Sequence, residues 1–234
     1  AVVFHTLTQG FNAAIFPRMA RLTGKHGDLS EARRSFFRAV RYQAWWAAPL
    51  AAGIFLYSDN IAGWFGAQYR DGIPDLDVGG TTASALRILV IAMLLDAVGG
   101  PVGMMVLGTG TLDRFLPVLG GTLAATSVIF NLLWIPRYGI LGAAQASLVA
   151  SGIQGVIKVI LVSKLFGNPW PLLLRPLPYF ALAVGMGFAL AAGPLASSPL
   201  LGGLAGAFSY GVVTLALGLV DPAIRKRLAR LVRR

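Results

Sequence analysis

Long apolar stretches separated by short polar segments dominate the chain. Each stretch has about the 20 residues that an α-helix needs to cross the hydrocarbon core of a bilayer, at a rise of about 1.5 Å per residue. The pattern predicts seven spans, labelled A to G. They are A at 1–17, B at 40–57, C at 83–107, D at 115–135, E at 140–163, F at 177–195 and G at 199–219. The sequence therefore predicts an all-α fold, a multi-pass transmembrane helical bundle.

Composition strengthens this prediction and excludes several kinds of site. Hydrophobic residues make up 56% of the chain and charged residues only 12%, with a mean hydropathy of +0.70. A soluble domain carries about 25% charged residues, because its surface faces water. With no cysteine and two histidines, the chain offers no disulfide, no thiolate ligand and no histidine metal cluster. We predict no catalytic residue, no metal site and no cofactor.

The basic residues that give the net charge of +11 lie mostly between the apolar stretches. Their positions therefore predict the orientation in the membrane and not a nucleic-acid partner. Sixteen of the 20 Lys and Arg residues lie in four segments on one side of the predicted membrane, and three lie on the other. The four segments are 18–41, 108–114, 164–176 and 221–234. Since basic loops stay in the cytoplasm, we expect a cytoplasmic C-terminus and an external loop at 58–81.

Span A carries a polar stripe. His5, Thr8, Gln9 and Asn12 follow one another at i, i+3, i+4 and i+7, so they share one helix face. Polar side chains are costly in a lipid-facing position. The stripe predicts either the wall of a hydrated cavity that touches a polar substrate group, or hydrogen bonds between packed helices.

Asp96 is the only acidic residue deep inside a predicted span. It precedes Gly99–Pro101, where we expect span C to kink or break and to free backbone carbonyls. A carboxylate beside free carbonyls could bind a proton or Na⁺, and the alternative is a structural aspartate. Arg87 lies nine residues away and points to the opposite face, so it is not the partner. Lys158 in span E is expected to snorkel to the interface.

The basic segment before span B predicts a contact with the inner leaflet. Asp28 and Glu31 have the spacing of a capping box at the start of a helix. The arginines that follow would lie along the membrane surface, and Arg34, Arg38 and Arg41 are candidates for binding a lipid headgroup. The alternative is a solvated basic face.

Spans D and E are joined by the run Asn131–Ala144, N-L-L-W-I-P-R-Y-G-I-L-G-A-A. Pro136 disfavours further helix and Gly139 allows a tight turn, so the run predicts an antiparallel hairpin. Gly142, Ala146 and Ala150 then recur every four residues, as expected for a close-packing face of a membrane helix.

This hairpin run resembles the signature of polysaccharide-biosynthesis flippases, which belong to the multidrug/oligosaccharidyl-lipid/polysaccharide exporter superfamily. Two further runs are similar to that family. Ile15–Leu22, followed by Gly27–Glu31, resembles a helix of its C-terminal lobe with the basic loop after it, and Val106–Leu112 resembles the glycine-rich turn before the hairpin. The similarity covers about residues 11–166.

The resemblance implies one lobe of a two-lobe, 14-helix transporter with a central cavity beside span A. Residues 1–176 would be the core of the C-terminal lobe, 177–220 two additional transmembrane helices, and 221–234 a basic cytoplasmic tail. We expect an N-terminal lobe to precede this chain, because the first residue is Ala and opens directly into an apolar stretch.

The family's function implies a flippase that moves a polyprenyl-pyrophosphate-linked glycan across the bacterial cytoplasmic membrane, driven by an ion gradient or the membrane potential. Expected partners are this glycan, membrane lipids and the N-terminal lobe, and further candidates are a glycan polymerase and glycosyltransferases. The alternatives are a drug or cation antiporter of the same superfamily, a non-transporting component of a polysaccharide export complex, and a membrane-embedded glycosyltransferase. A cation exporter should carry several buried acidic residues, and this sequence offers only Asp96.

Overall fold

The computed structural model describes residues 2–23, 29–71, 81–109, 115–193 and 198–219. Within these ranges the chain forms nine helices and no strand, which confirms the all-α prediction. The helices are α1 (Val2–Thr23), α2 (Leu29–Leu56), α3 (Ser58–Trp64), α4 (Ala67–Asp71), α5 (Thr82–Thr109), α6 (Leu116–Phe166), α7 (Trp170–Leu174), α8 (Leu177–Ala191) and α9 (Pro199–Ala216). The predicted N-cap Asp28 and the predicted tail 221–234 lie outside the described residues.

Helices occupy all seven positions at which spans were predicted. By length and composition, three described helices can cross a membrane: Thr82–Leu107 within α5, the whole of α6, and α9. The apolar part of α8, Leu177–Leu190, is shorter. Helices α1 and α2 are long enough, but polar residues such as Asn12 and Arg41 lower their hydropathy. The three long apolar helices are consistent with a membrane protein.

Helix α6 is a hairpin and not a rod. A straight helix of its 51 residues would be about 77 Å long, far beyond the roughly 30 Å of a bilayer core. Gly139 has non-helical angles, φ 53° and ψ −130°, and it reverses the chain. Gln154 Nε2 therefore donates a hydrogen bond to the Leu119 carbonyl at 3.4 Å, and Lys164 Nζ lies 5.4 Å from the centre of the Phe115 ring. The predicted hairpin is confirmed.

The two limbs of α6, residues 116–138 and 140–166, close tightly at the turn. Gly142 lies against the backbone of Trp134, and a β-carbon at position 142 would collide with the Trp134 carbonyl oxygen. Ala146 and Ala150 are buried on the same limb, which confirms the small-residue face. A small residue such as Gly142 allows the backbones of the two limbs to approach each other.

Helix α5 lies at the centre of the bundle and packs against α6, α1 and α2. Of the kink or break predicted at Gly99–Pro101, the break is wrong, because α5 runs continuously from Thr82 to Thr109, and the kink stays a prediction. Pro101 still has no N–H to donate to the Ala97 carbonyl. The neighbouring helices support α5 through this turn, so the missing hydrogen bond does not end the helix.

Helix α2 joins two parts of the bundle with two different faces. On one face, Ala47 packs in a cluster with Val90 and Ala97 of α5. On the other face, Ala44 packs in a cluster with Tyr179 of α8 and Tyr210 of α9. A hydrogen bond from Trp45 Nε1 to Thr214 Oγ1, at 3.0 Å, adds to the second contact. Helices α8 and α9 are therefore held to the rest of the bundle through α2.

The two ends of the bundle differ in chemistry. At one end Asp59 of α3 pairs with Arg87 of α5, and the exposed aromatic rings of Trp64 and Phe65 suit a membrane interface. At the other end Arg41 Nη2 donates to the carbonyl oxygen of Leu219, 2.8 Å away, just after α9. Two of the segments predicted to face the cytoplasm, 18–41 and 164–176, meet at this second end, where Arg175 lies over the Phe37 ring. We call it the basic end.

Replacing Gly142 with Ala should loosen the hairpin, because the added β-carbon collides with the Trp134 backbone. Overpacking of this kind costs about 1–3 kcal/mol, which thermal unfolding of the purified protein in detergent would detect. Gly152→Ala is the matched control, since it adds the same methyl group to the same limb where no atom lies within 4 Å. Equal stability of the two variants would contradict the close turn.

Candidate functional site

A cluster of polar side chains surrounds the middle of α5, inside an otherwise apolar bundle. It contains Asp96 of α5, Ser151 and Lys158 of the second limb of α6, and Asn12 of α1. Charged residues inside membrane segments are rare, and they commonly mark transport pathways or coupling sites. We therefore take this cluster, named the α5 polar cluster, as the candidate functional site.

Asp96 holds two partners from α6. Ser151 Oγ donates a hydrogen bond of 2.8 Å to Asp96 Oδ2, and Lys158 Nζ lies 3.7 Å from Asp96 Oδ1. The Oδ1 atom is buried and accepts no hydrogen bond from a described residue, so its contact with Lys158 is an ion pair only. The side chain of Asp96 is 44% exposed. One part of the carboxylate is therefore tied to α6, while another part is open.

Lys158 does not snorkel as predicted. The residue is only 8% exposed, and its ammonium group faces Asp96 and not the end of the helix. Gly99 makes this possible, since a β-carbon there would lie 2.7 Å from Lys158 Cδ and 3.0 Å from Nζ. Burying an ammonium group is expensive unless a counter-charge lies close. The ion pair with Asp96 therefore keeps the Lys158 ammonium group inside the bundle, and the side chain does not extend toward water.

This pairing had a signal in the sequence that the prediction missed. Asp96 is the only acid deep in a predicted span, and Lys158 is a basic residue within predicted span E. Two opposite lone charges inside an apolar bundle should find each other, because each alone carries a large desolvation cost. Arg87 is the basic residue on the same helix as Asp96, and it points to the opposite face.

Asn12 is packed against the next glycine of α5. It is 3% exposed, and a β-carbon at Gly100 would lie 2.5 Å from its Nδ2 atom. Asp96 and Gly100 are four residues apart, so Asn12 lies on the same face of α5 as the carboxylate. The buried Oδ1 atom of Asn12 accepts no hydrogen bond from a described residue.

Gln43 of α2 lies at a similar level and was not predicted. It is fully buried, and neither of its amide atoms has a hydrogen-bond partner within the described ranges. Val40 shares a packing cluster with Val102 of α5, and Ala47 shares one with Ala97. Gln43 therefore lies near the level of the α5 polar cluster. A glutamine inside a predicted apolar span was the available signal.

The structure divides the predicted polar stripe of α1. Thr8 and Asn12, four residues apart, are both buried, whereas Gln9 is exposed. For His5 only the backbone position within α1 is described. Asn12 thus joins the α5 polar cluster, and Gln9 lies on a different side of the helix. Whether this stripe lines a hydrated cavity stays a prediction.

The predicted headgroup arginines also separate. Arg34 and Arg38 are exposed on α2, but Arg41 is partly buried and turned toward α8. Its Nε donates to the Tyr179 hydroxyl at 3.2 Å. The three residues therefore do not form one site. No group of three or more His, Cys, Asp and Glu side chains that could hold a metal ion occurs in the described part of the chain.

A double-mutant cycle should show that Asp96 and Lys158 depend on each other. Asp96→Asn strands a buried positive charge, whereas Asp96→Asn with Lys158→Met removes both charges. We expect a coupling free energy of roughly 1–3 kcal/mol, measured by denaturant unfolding in micelles. This is less than a fully buried pair would give, because the Asp96 side chain is partly exposed. The Asp59–Arg87 pair is the control, with an expected coupling under about 1 kcal/mol. Additive effects at 96 and 158 would contradict the pair.

The motif with the strongest family resemblance, Asn131–Ala144, forms the turn of the α6 hairpin around Gly139. The described residues of the two weaker motifs lie in α1, at the start of α2 and at the end of α5. A scan against models of known protein families, a search of curated proteins and a search of solved structures gave no match to the chain.

Proposed function

We propose that the chain belongs to a transporter that flips lipid-linked oligosaccharide or polysaccharide precursors across a bacterial cytoplasmic membrane. The observation that carries this proposal is the Asp96–Lys158 ion pair between two membrane helices. A stable bundle does not need such a pair, since well-packed apolar residues are often equally stabilising. Charged residues inside membrane segments commonly mark ion pathways or proton relays, and our hypothesis is that this pair serves a change of state.

The geometry gives the pair a way to couple proton movement to helix movement. The open side of the carboxylate can be reached from outside the pair, because the Asp96 side chain is partly exposed. A proton on Asp96 would remove the attraction to Lys158 and leave a buried ammonium group without a counter-charge. The contact between α5 and the second limb of α6 would then weaken, and the two elements could move apart. Deprotonation would restore the contact.

The distribution of charge supports an anionic substrate. The basic end collects arginine and lysine side chains, and a polyprenyl pyrophosphate carries negative charge at its headgroup. Asp96 is already neutralised by Lys158, so it does not provide the free acidic groups that a drug or cation exporter needs. The family resemblance points the same way and adds the expectation of a second lobe. A cytoplasmic C-terminus and coupling to an ion gradient belong to the same proposal.

A reconstituted assay tests the proposal. The full-length protein is placed in liposomes with a polyprenyl-diphosphate-linked oligosaccharide, and a membrane-impermeant oxidant reports sugar exposure on the outer leaflet. We expect flipping that a pH gradient accelerates. Asp96→Asn should slow it about tenfold, equivalent to roughly 1.4 kcal/mol of barrier, and should remove the response to the gradient.

Asp59→Asn is the matched control, because it neutralises the described carboxylate that pairs with Arg87 at the opposite end. This variant should keep the gradient response. Flipping no faster than in protein-free liposomes would exclude the flippase and leave a non-transporting membrane component as the better description. Normal flipping by Asp96→Asn, with the gradient response unchanged, would exclude the coupling role of the ion pair.

A further inference from the structure

Two arginines lie over one aromatic ring at the basic end, and a third arginine comes one turn further along α2. The guanidinium carbon of Arg33 lies 5.9 Å from the centre of the Phe37 ring, and that of Arg175 lies 4.7 Å from it. Arg33 and Phe37 are one turn apart on α2, while Arg175 follows α7. Arg41 comes one turn after Phe37 on the same face of α2. We name Arg33, Arg41 and Arg175 the arginine triad.

The ring beneath the triad is held rigidly. Phe37 is only 2% exposed and packs in an aromatic group, with its ring centre 5.1 Å from Phe36 and 6.1 Å from Phe166. A guanidinium group stacked on a ring keeps its N–H donors at its edge. The buried Phe37 ring therefore positions the guanidinium groups of Arg33 and Arg175, and their N–H groups remain available as hydrogen-bond donors.

Arg41 is anchored from the other side by neutral groups. It donates from Nε to the Tyr179 hydroxyl and from Nη2 to the Leu219 carbonyl, at 3.2 and 2.8 Å. The Tyr179 hydroxyl itself donates to the Leu219 carbonyl at 2.8 Å. These contacts fix the orientation of Arg41 through neutral acceptors, which do not cancel its positive charge.

The triad concentrates like charges. Partial burial, followed by the charges of Arg41 and Arg33, lowers the pKa of Arg175 from its ordinary value. A guanidinium group nevertheless stays protonated at neutral pH. Among the described residues, no carboxylate forms an ion pair with any member of the triad. Three fixed cations at one place repel one another unless an anion is bound.

The surroundings indicate a lipid and not a dissolved ion. The triad lies where the apolar parts of α2 and α8 begin, which is the level of headgroups in a bundle of this kind. Trp170 of α7 is 62% exposed, and Leu173, Leu174 and Leu177 are exposed beside Arg175. Exposed Trp and Leu side chains next to arginines are typical of an interfacial segment that contacts acyl chains.

We propose that Arg33, Arg41 and Arg175 bind the phosphate of an anionic membrane lipid above Phe37. Guanidinium groups match phosphate oxygens in pairs, and three of them from two separate segments would clamp the start of α2 to the segment between α7 and α8. The site is distinct from the α5 polar cluster and goes beyond the proposed transport, since it requires neither flipping nor ion coupling.

The test measures ligand-induced thermal stabilisation of the purified chain in detergent. The probes are a short-chain phosphatidic acid, a phosphatidylcholine with the same chains, and inorganic phosphate. Phosphatidic acid should stabilise the protein saturably, phosphatidylcholine should not, and inorganic phosphate should bind at least about tenfold more weakly. Equal affinity for free phosphate would overturn the lipid source, and an equal effect of phosphatidylcholine would overturn recognition of charge.

Arg33→Gln and Arg175→Gln should each weaken binding of phosphatidic acid about tenfold. Arg34→Gln is the matched control, because it removes the same charge one residue away on an exposed side of α2, and it should change the affinity less than twofold. A loss at Arg34→Gln as large as that at Arg33→Gln would reduce the site to general surface charge and overturn the proposal. Arg41→Gln also removes the hydrogen bond to the Leu219 carbonyl. It is therefore measured in addition to the other three variants and does not decide the test by itself.

Discussion

A lysine buried in an apolar helical bundle must have a counter-charge, and much of the interior of this protein follows from that constraint. Lys158 reaches Asp96 only because Gly99 leaves room for its side chain. The pair requires α5 and the second limb of α6 to lie close, and α5 and α6 do pack against each other. Ser151 supplies a hydrogen bond to the same carboxylate.

The polar interior and the basic end occupy different levels of the same scaffold. Helix α5 carries the carboxylate and the adjacent glycine against which Asn12 packs. Helix α2 shares its clusters with α5 on one face and with α8 and α9 on the other, and it presents Arg33 and Arg41 at the basic end. A change in the α5 polar cluster that moved α5 would therefore reach the triad through α2. The proposed proton coupling at Asp96 and the proposed lipid binding at the triad would then affect each other through α2.

Much of the fold was predictable, because long apolar runs and the Pro136–Gly139 turn are local signals that a sequence carries. The hairpin and the small-residue face of α6 were confirmed for this reason. The partner of Lys158 was missed because ion pairing between distant segments depends on which helices touch. The break at Gly99–Pro101 was wrong because local helix-breaking residues were judged without the neighbours that support them. Arg34, Arg38 and Arg41 were predicted to lie together along the membrane surface, yet tertiary contacts with Tyr179 and Leu219 hold Arg41 apart from the other two.

The central claim is that α5 and the second limb of α6 meet at Asp96, and disulfide trapping in native membranes tests it most directly. The chain contains no cysteine, so a pair introduced by Asp96→Cys and Ser151→Cys reports this contact alone. Lys158→Met is included in every variant, so that no buried ammonium group is left without a counter-charge. The account predicts rapid cross-linking under mild oxidation, because the two side chains are within hydrogen-bond distance. The pair Asp96→Cys and Val156→Cys should remain reduced, since Val156 is exposed on another side of the limb. Cross-linking of the second pair, or none in the first, would contradict the account.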